Sequence, residues 1–349
     1  MSIKGIKLVK RNNSWKYFIC SLFATSLFHL QAKEQGQRIP DEFESLGGHS
    51  LGFGNGGTAA SSGLGSIRSN PAMLAIEPQY SISAGYHWPT VGRDFYQAGA
   101  VDSKTSNIAA GLSYTSSYSE FGTNNAAAKD DHNFSYKYDS PVKYRIAGGL
   151  AQPFSQLAFG IGGQYVDGFQ INSKNANNTT EELTRVNGAT LALGVAGLIT
   201  KQVRFGLSAE NLANDKVSDL APRTYRGGLA YTTFSGNLTL HADFIQRDRV
   251  PQEKFNIVES LEEPLTLNKE TPISKPEQML VGSASVRIQN ILRILVAMSE
   301  DVSKSSRRSL SGGVAVVNNS FSVSYLLGKP YLNDRRTHQA VNISFQVAL

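Results

Sequence analysis

Cysteine is almost absent from this chain, with one residue, Cys20, in 349. A disulfide framework and a zinc-thiolate site are both excluded. Charge is scarce too. Asp, Glu, Lys and Arg make up 18%, against roughly 25% in ordinary soluble domains. No stretch of 18 or more consecutive apolar residues occurs, so no transmembrane helix is written in the sequence. The motifs G-x-x-x-x-G-K-[ST], H-E-x-x-H and G-x-S-x-G are missing, which removes the commonest phosphate-binding, metalloprotease and hydrolase signatures. Gly52-x-Gly54-x-x-Gly57 matches the dinucleotide fingerprint by letters. That fingerprint needs a strand before it and a long helix after it, and neither pattern is present. His49, His87, His132, His241 and His338 are scattered without metal-ligand spacing. No cofactor, no metal and no catalytic residue are expected.

The pI near 9.2 is misleading. Residues 1–32 hold Lys4, Lys7, Lys10, Arg11 and Lys16 and no acidic residue. An apolar stretch, Tyr17–Leu30, follows, and then Leu30-Gln31-Ala32. This order reads as a secretory signal peptide. Its removal takes five of the 34 basic residues and leaves 29 against 28 acidic ones. The basic balance then gives no argument for nucleic acid as a partner. Cys20 leaves with the signal, and no lipidation box surrounds it.

Beyond residue 77 helical periodicity is nearly absent, and alternation with period two takes its place. Fourteen runs are expected as strands: 80–88, 94–102, 107–117, 143–152, 156–168, 186–199, 202–210, 223–233, 236–247, 278–288, 291–299, 309–317, 320–327 and 338–349. Most have about the 9–11 residues that a tilted strand needs to cross a membrane. In the first, Tyr80, Ile82, Ala84, Tyr86 and Trp88 share one face, and Ser81, Ser83, Gly85 and His87 the other. In the last, Val341, Ile343, Phe345, Val347 and Leu349 alternate with polar and small residues.

The connections alternate between long and short. Loops at 118–142, 169–185, 211–222 and 248–277 are interleaved with turns of two or three residues, such as Thr200-Lys201 and Gln289-Asn290. Short turns on one side, long polar loops on the other and an even strand number describe a transmembrane barrel. The fold expected is therefore all-β: a closed antiparallel barrel of about 14 strands in the outer membrane. Gly148-Gly149, Gly160–Gly163, Gly227-Gly228 and Gly312-Gly313 fall inside strand runs and read as curvature devices. Residues 33–79 precede the barrel, are rich in Gly and Ala, and are too short for a domain. Asn70 can cap a short helix with Pro71 at its first position. The lumen offers this segment a place to pack, which divides the chain into signal peptide (1–32), hatch (33–79) and barrel (80–349).

The pattern of signal peptide, Gly-rich stretch, Asn70-Pro71-Ala72-Met73-Leu74-Ala75 and then a Tyr-rich first strand resembles the outer-membrane hydrophobic-compound transporters. These include the long-chain fatty acid transporter (FadL) type and secretion-associated relatives of the PorV type. Gly206–Leu212, and Pro222-Arg223-Thr224 leading into Gly228–Tyr231, resemble them more softly. The resemblance implies a 14-stranded barrel behind an N-terminal hatch, with Asn70, Pro71, Ala72 and Leu74 in the hatch motif.

Two functions follow from this reading. One is passive uptake of hydrophobic or amphipathic small molecules through a plugged barrel. The other is a non-transporting adaptor whose long extracellular loops bind partner proteins. Membrane lipids are partners in either case. Strand parity turns Arg204, Arg287 and Arg293 into the lumen near the periplasmic end. They form a basic cluster that either pairs with hatch carboxylates (Asp41, Glu42, Glu44, Glu77) or anchors an anionic amphipathic ligand. Parity also turns His241 inward.

Overall fold

The computed structural model describes residues 56–76, 79–89, 94–118, 142–172, 182–213, 215–218, 220–233, 235–248, 276–289, 291–302, 308–317, 321–329 and 337–346. All of them lie in the compact unit Gln37–Leu349. The expected signal peptide, the carboxylates Asp41, Glu42, Glu44 and Glu77, and most of the two longest loops lie outside the described residues.

Fourteen antiparallel strands close into one barrel. They are β1 (Tyr80–Pro89), β2 (Asp94–Asp102), β3 (Ala109–Tyr118), β4 (Val142–Phe154), β5 (Leu157–Asn172), β6 (Glu182–Leu198), β7 (Val203–Glu210), β8 (Thr224–Thr232), β9 (Leu238–Arg247), β10 (Glu277–Ile288), β11 (Leu292–Asp301), β12 (Arg308–Val317), β13 (Phe321–Lys329) and β14 (His338–Gln346). Each strand pairs with its chain neighbours. The last pairs with the first, from Ser81 opposite Gln346 to Pro89 opposite His338. Closure removes both sheet edges.

Burial in this barrel is reversed relative to a soluble protein. Ile82, Leu112, Ile161, Leu207, Leu280, Val296 and Phe345 stand exposed on the outer surface. Arg145, Glu210, Arg226, Asp243, Arg247 and Glu277 are buried inside. Such a surface is stable only where hydrocarbon, not water, covers it. Aromatic rings gather at the end of the barrel that carries the long connections. Tyr86 stacks on Trp88 with ring centroids 5.3 Å apart and lies 4.9 Å from Tyr96. Tyr144 lies between Tyr114 and Tyr165. This is the girdle expected where a barrel wall meets a membrane interface.

One expected loop is shorter than its sequence suggests. Residues 169–172 and 182–185 continue β5 and β6, with Phe169 opposite Arg185 and Asn172 opposite Glu182. The polar composition there reads as loop. A hairpin that projects beyond the membrane, however, has no need of an apolar outer face. Arg185 Nη2, 2.5 Å from Asp167 Oδ2, ties its base. Glu277 is also not a loop residue: it opens β10 and is buried.

Candidate functional site

A short N-terminal segment lies against the inner wall. It begins with a turn in which Ser61 N donates to Gly57 O at 2.8 Å. Gly57 takes φ 109° there, a conformation that favours glycine. Helix α1 (Leu64–Ser69) and a 3-10 helix (Pro71–Ala75) follow. Asn70 between them is extended, and its Oδ1 accepts from Ala72 N at 3.1 Å. The proline at the first helical position has no N–H to lose there. Leu64, Ile67 and Leu74 pack on Val101, Ala109, Ala147 and Ala151 of β2, β3 and β4. Ala72 and Met73 pack on Ala158 and Ala196 of β5 and β6.

Polar side chains hold the segment to the wall, among them His241, whose Nε2 accepts from Gly57 N at 3.2 Å. Asn70 is fully buried. Its Nδ2 donates to Thr58 O at 3.0 Å and to Val195 O of β6 at 3.1 Å. Ser208 Oγ of β7 donates to Ser69 O at 2.6 Å. Asp243 Oδ2 of β9 accepts from Gly57 N at 2.6 Å, Thr58 N at 3.0 Å and Thr58 Oγ1 at 3.0 Å. His241 does point inward, as parity required. Its Nε2 is 2.9 Å from Asp243 Oδ1, and its Nδ1 is 3.2 Å from Ser283 Oγ.

The glycines of the wall make this close packing feasible. A Cβ on Gly160 would run into Pro71 and Ala72, one on Gly194 into the Asn70 side chain, and one on Gly206 into Thr58 O. Gly149 and Gly162 face Pro71, and Gly228 faces Asp243 and Thr58. The strand glycines were expected as curvature devices. Gly149, Gly160, Gly162 and Gly228 also clear a seat for the inner segment. Strand periodicity alone cannot reveal such a seat, because the occupant comes from another part of the chain.

Toward the long-loop end the lumen is charged. Arg226 Nε donates to Glu210 Oε1 at 2.5 Å, and both side chains are buried. Arg247 Nη1 lies 3.8 Å from Glu277 Oε2. Arg145 Nη2 donates to Leu220 O at 3.2 Å, binding the β7–β8 connection to β4. Arg68 enters this set from α1 and is 7% exposed. Its guanidinium is held well below its ordinary pKa, first by burial, then by the positive charge of Arg145, with Glu210 opposing and Arg226 and Arg247 adding. Its Nη1 has no hydrogen-bond partner among the described residues. Charged letters at inward parity signal most of this set in the sequence. Arg68, which comes from outside the strands, carries no such signal.

The arginines singled out from the sequence sit elsewhere. Arg287 and Arg293 are direct cross-strand partners on β10 and β11, near the short-turn end. Arg293 Nη2 donates to Ser285 Oγ at 3.2 Å. Arg204 shares the inward parity of Gly206 and Ser208 on β7 and lies beside Ala230 of β8. Strands β8 and β9 separate it from β10. Arg287 and Arg293 thus face each other across one strand pair, and Arg204 stands three strands away around the wall.

No protein-family model matches this chain, and no curated protein matches it by sequence. Solved structures do. The toluene transporter TodX of Pseudomonas putida aligns with a TM-score of 0.56 at 14% identity, over 87% of this chain and 98% of that one. The toluene transporter TbuX of Ralstonia pickettii aligns at 0.54 and 14%, over 87% and 98%. The CymD monoaromatic hydrocarbon channel aligns at 0.52 and 13%, over 86% and 96%. At these identities what is shared is the fold. It agrees with the 14-stranded barrel that the resemblance read from Asn70–Ala75 implies.

Proposed function

We propose that this protein is an outer-membrane barrel that admits hydrophobic or amphipathic small molecules, with residues 56–76 as part of its hatch. The observation that carries the reading is the fit of the whole barrel to channels for toluene and monoaromatic hydrocarbons, which covers almost all of their length. The inner segment supports it. Among the described residues it is held to the wall by apolar packing and side-chain hydrogen bonds, not by strand pairing, so its release need not open the sheet. The wall itself is sealed by closure, leaving the lumen as the route. A catalytic step has no part in this reading. In the orientation proposed, the short turns and the N terminus are periplasmic and the long connections face outward.

The test is uptake of labelled toluene and decanoate into liposomes holding the mature chain, or the same chain lacking residues 33–76. Flux through the full-length barrel that changes when the segment is deleted is the expected result. No flux through either form would sink the transport reading.

A further inference from the structure

We propose that Asn211 folds the β7–β8 connection into the mouth of the barrel, where it narrows the lumen. This one side chain then sets the outer aperture, and with it the size of what enters. As a size filter the device rests on the transport reading; as a part of the fold it stands without it.

β7 ends at Glu210, and Asn211 after it takes φ 60°. Asparagine accepts that left-handed conformation more readily than most residues. The chain turns there, and it turns inward. Asn211 Oδ1 accepts from Gln164 Nε2 of β5, and from Thr190 Oγ1 of β6 at 3.0 Å. Arg145 Nη2 of β4 donates to Leu220 O at 3.2 Å. Leu220 and Ala221 form one cluster with Val166 of β5, and Val186 of β6 packs against it. All five wall residues share the parity of positions that face the inner segment: Ala147 and Ala151 on β4, Ala158 and Gly160 on β5, Gly194 and Ala196 on β6. The connection therefore lies against the inside of the wall.

Its depth follows from register. Arg145 pairs with Val166, and the adjacent Tyr144 and Tyr165 stack in the aromatic girdle. The connection thus reaches down to the level of that girdle. Val217 is fully buried, and Leu220 and Ala221 nearly so. Ala213, Lys216 and Ser218 stay exposed. The same amide closes the base. Asn211 Nδ2 donates to Pro222 O at 2.8 Å, where Thr224 Oγ1 also donates at 3.1 Å. One side chain thereby ties both ends of the connection to β5 and β6. A chain laid on the inner wall takes its cross-section from the lumen.

The experiment uses the full mature chain in dioleoylphosphatidylcholine vesicles. Cys20 is the only cysteine of the sequence and lies in the expected signal peptide, so an introduced thiol reports alone. Val217→Cys reports on the connection. Ser324→Cys reports on the lumen: Ser324 is half-buried near the middle of β13, with the inward parity of Leu326 and Gly328. A charged methanethiosulfonate that does not cross lipid is offered from one face of the vesicle at a time, with glutathione on the other. From the face where the mouth opens, Asn211→Ala should speed both thiols by about tenfold, the factor that one buried hydrogen bond is worth. Asn211→Gly keeps the turn and loses the amide. It should act alike, and it guards against an Ala variant that fails to fold. A faster Val217→Cys with Ser324→Cys unchanged from both faces overturns the proposal, because the connection then moves without widening the lumen. Both thiols unchanged in both variants also overturns it, because Asn211 then holds nothing, as does a faster Ser324→Cys alone. Neither rate requires passage through the barrel, so an absence of uptake sinks the transport reading alone.

Discussion

Asn70 Nδ2 donates to the carbonyl oxygen of Val195, 3.1 Å away, across 125 positions of sequence. The same side chain binds Thr58 O and accepts from Ala72 N. One amide therefore caps the 3-10 helix, closes the inner segment on itself and fastens it to β6.

Asn70→Ala removes all three bonds and leaves buried backbone groups unsatisfied. Each such group costs about 1–3 kcal/mol. The inner segment should detach while the barrel remains closed. Limited proteolysis should then cut within residues 56–76 at least tenfold faster (about 1.4 kcal/mol of lost protection), with heat-modifiable gel mobility unchanged. Equal protease resistance in the two proteins would refute the anchor.

Gly194→Val tests the glycine seat from the wall side. Its new Cβ runs into the Asn70 side chain and meets Pro71 Cδ at 3.0 Å. Overpacking of this kind costs about 1–3 kcal/mol, and the inner segment is the part that can yield. Gly282→Ala is the control, since its Cβ meets nothing within 4 Å. The first variant should expose the segment to protease, and the second should behave as wild type.

Glu210 and Arg226 are both buried, so breaking the pair leaves a buried charge. Glu210→Gln alone should destabilise the barrel by about 3–5 kcal/mol. The double variant Glu210→Leu/Arg226→Met removes both charges and should recover much of that loss. Urea unfolding in lipid vesicles measures the cycle. A double variant as unstable as the sum of Glu210→Leu and Arg226→Met measured singly would show that the two residues act independently.

Val296 lies at the middle of β11 and is 51% exposed on the outer face. Val296→Arg should cost about 2–4 kcal/mol if that face meets hydrocarbon, and Val296→Leu almost nothing. Folding yield and urea midpoint in vesicles report the difference. Tolerance of Arg at this position would place the face in water.

Much of this fold is legible in the residues. Ile82 and Leu112 alternate with small or polar neighbours, and each such run became a strand whose apolar side faces outward. The hatch motif is legible too. Asn70-Pro71 marks a helix start by chemistry that acts within three residues. The β5–β6 hairpin was misjudged beyond Gly168, because strand pairing outside a membrane leaves no apolar mark.

By itself the sequence determined what local rules and period two can decide: the number of strands, the face each residue takes, the tight turns, and the cap at Asn70. Which residues meet across the lumen was decided only by closure of the barrel. Closure set Gly194 and Gly206 beside Asn70 and Thr58, put Asp243 against the amides of Gly57 and Thr58, and gathered Arg68 with Arg145, Arg226 and Arg247. Those partners lie tens to nearly two hundred positions apart. Parity states that a side chain points inward, but not at what height or opposite which neighbour. Strand register around the closed sheet supplies that information.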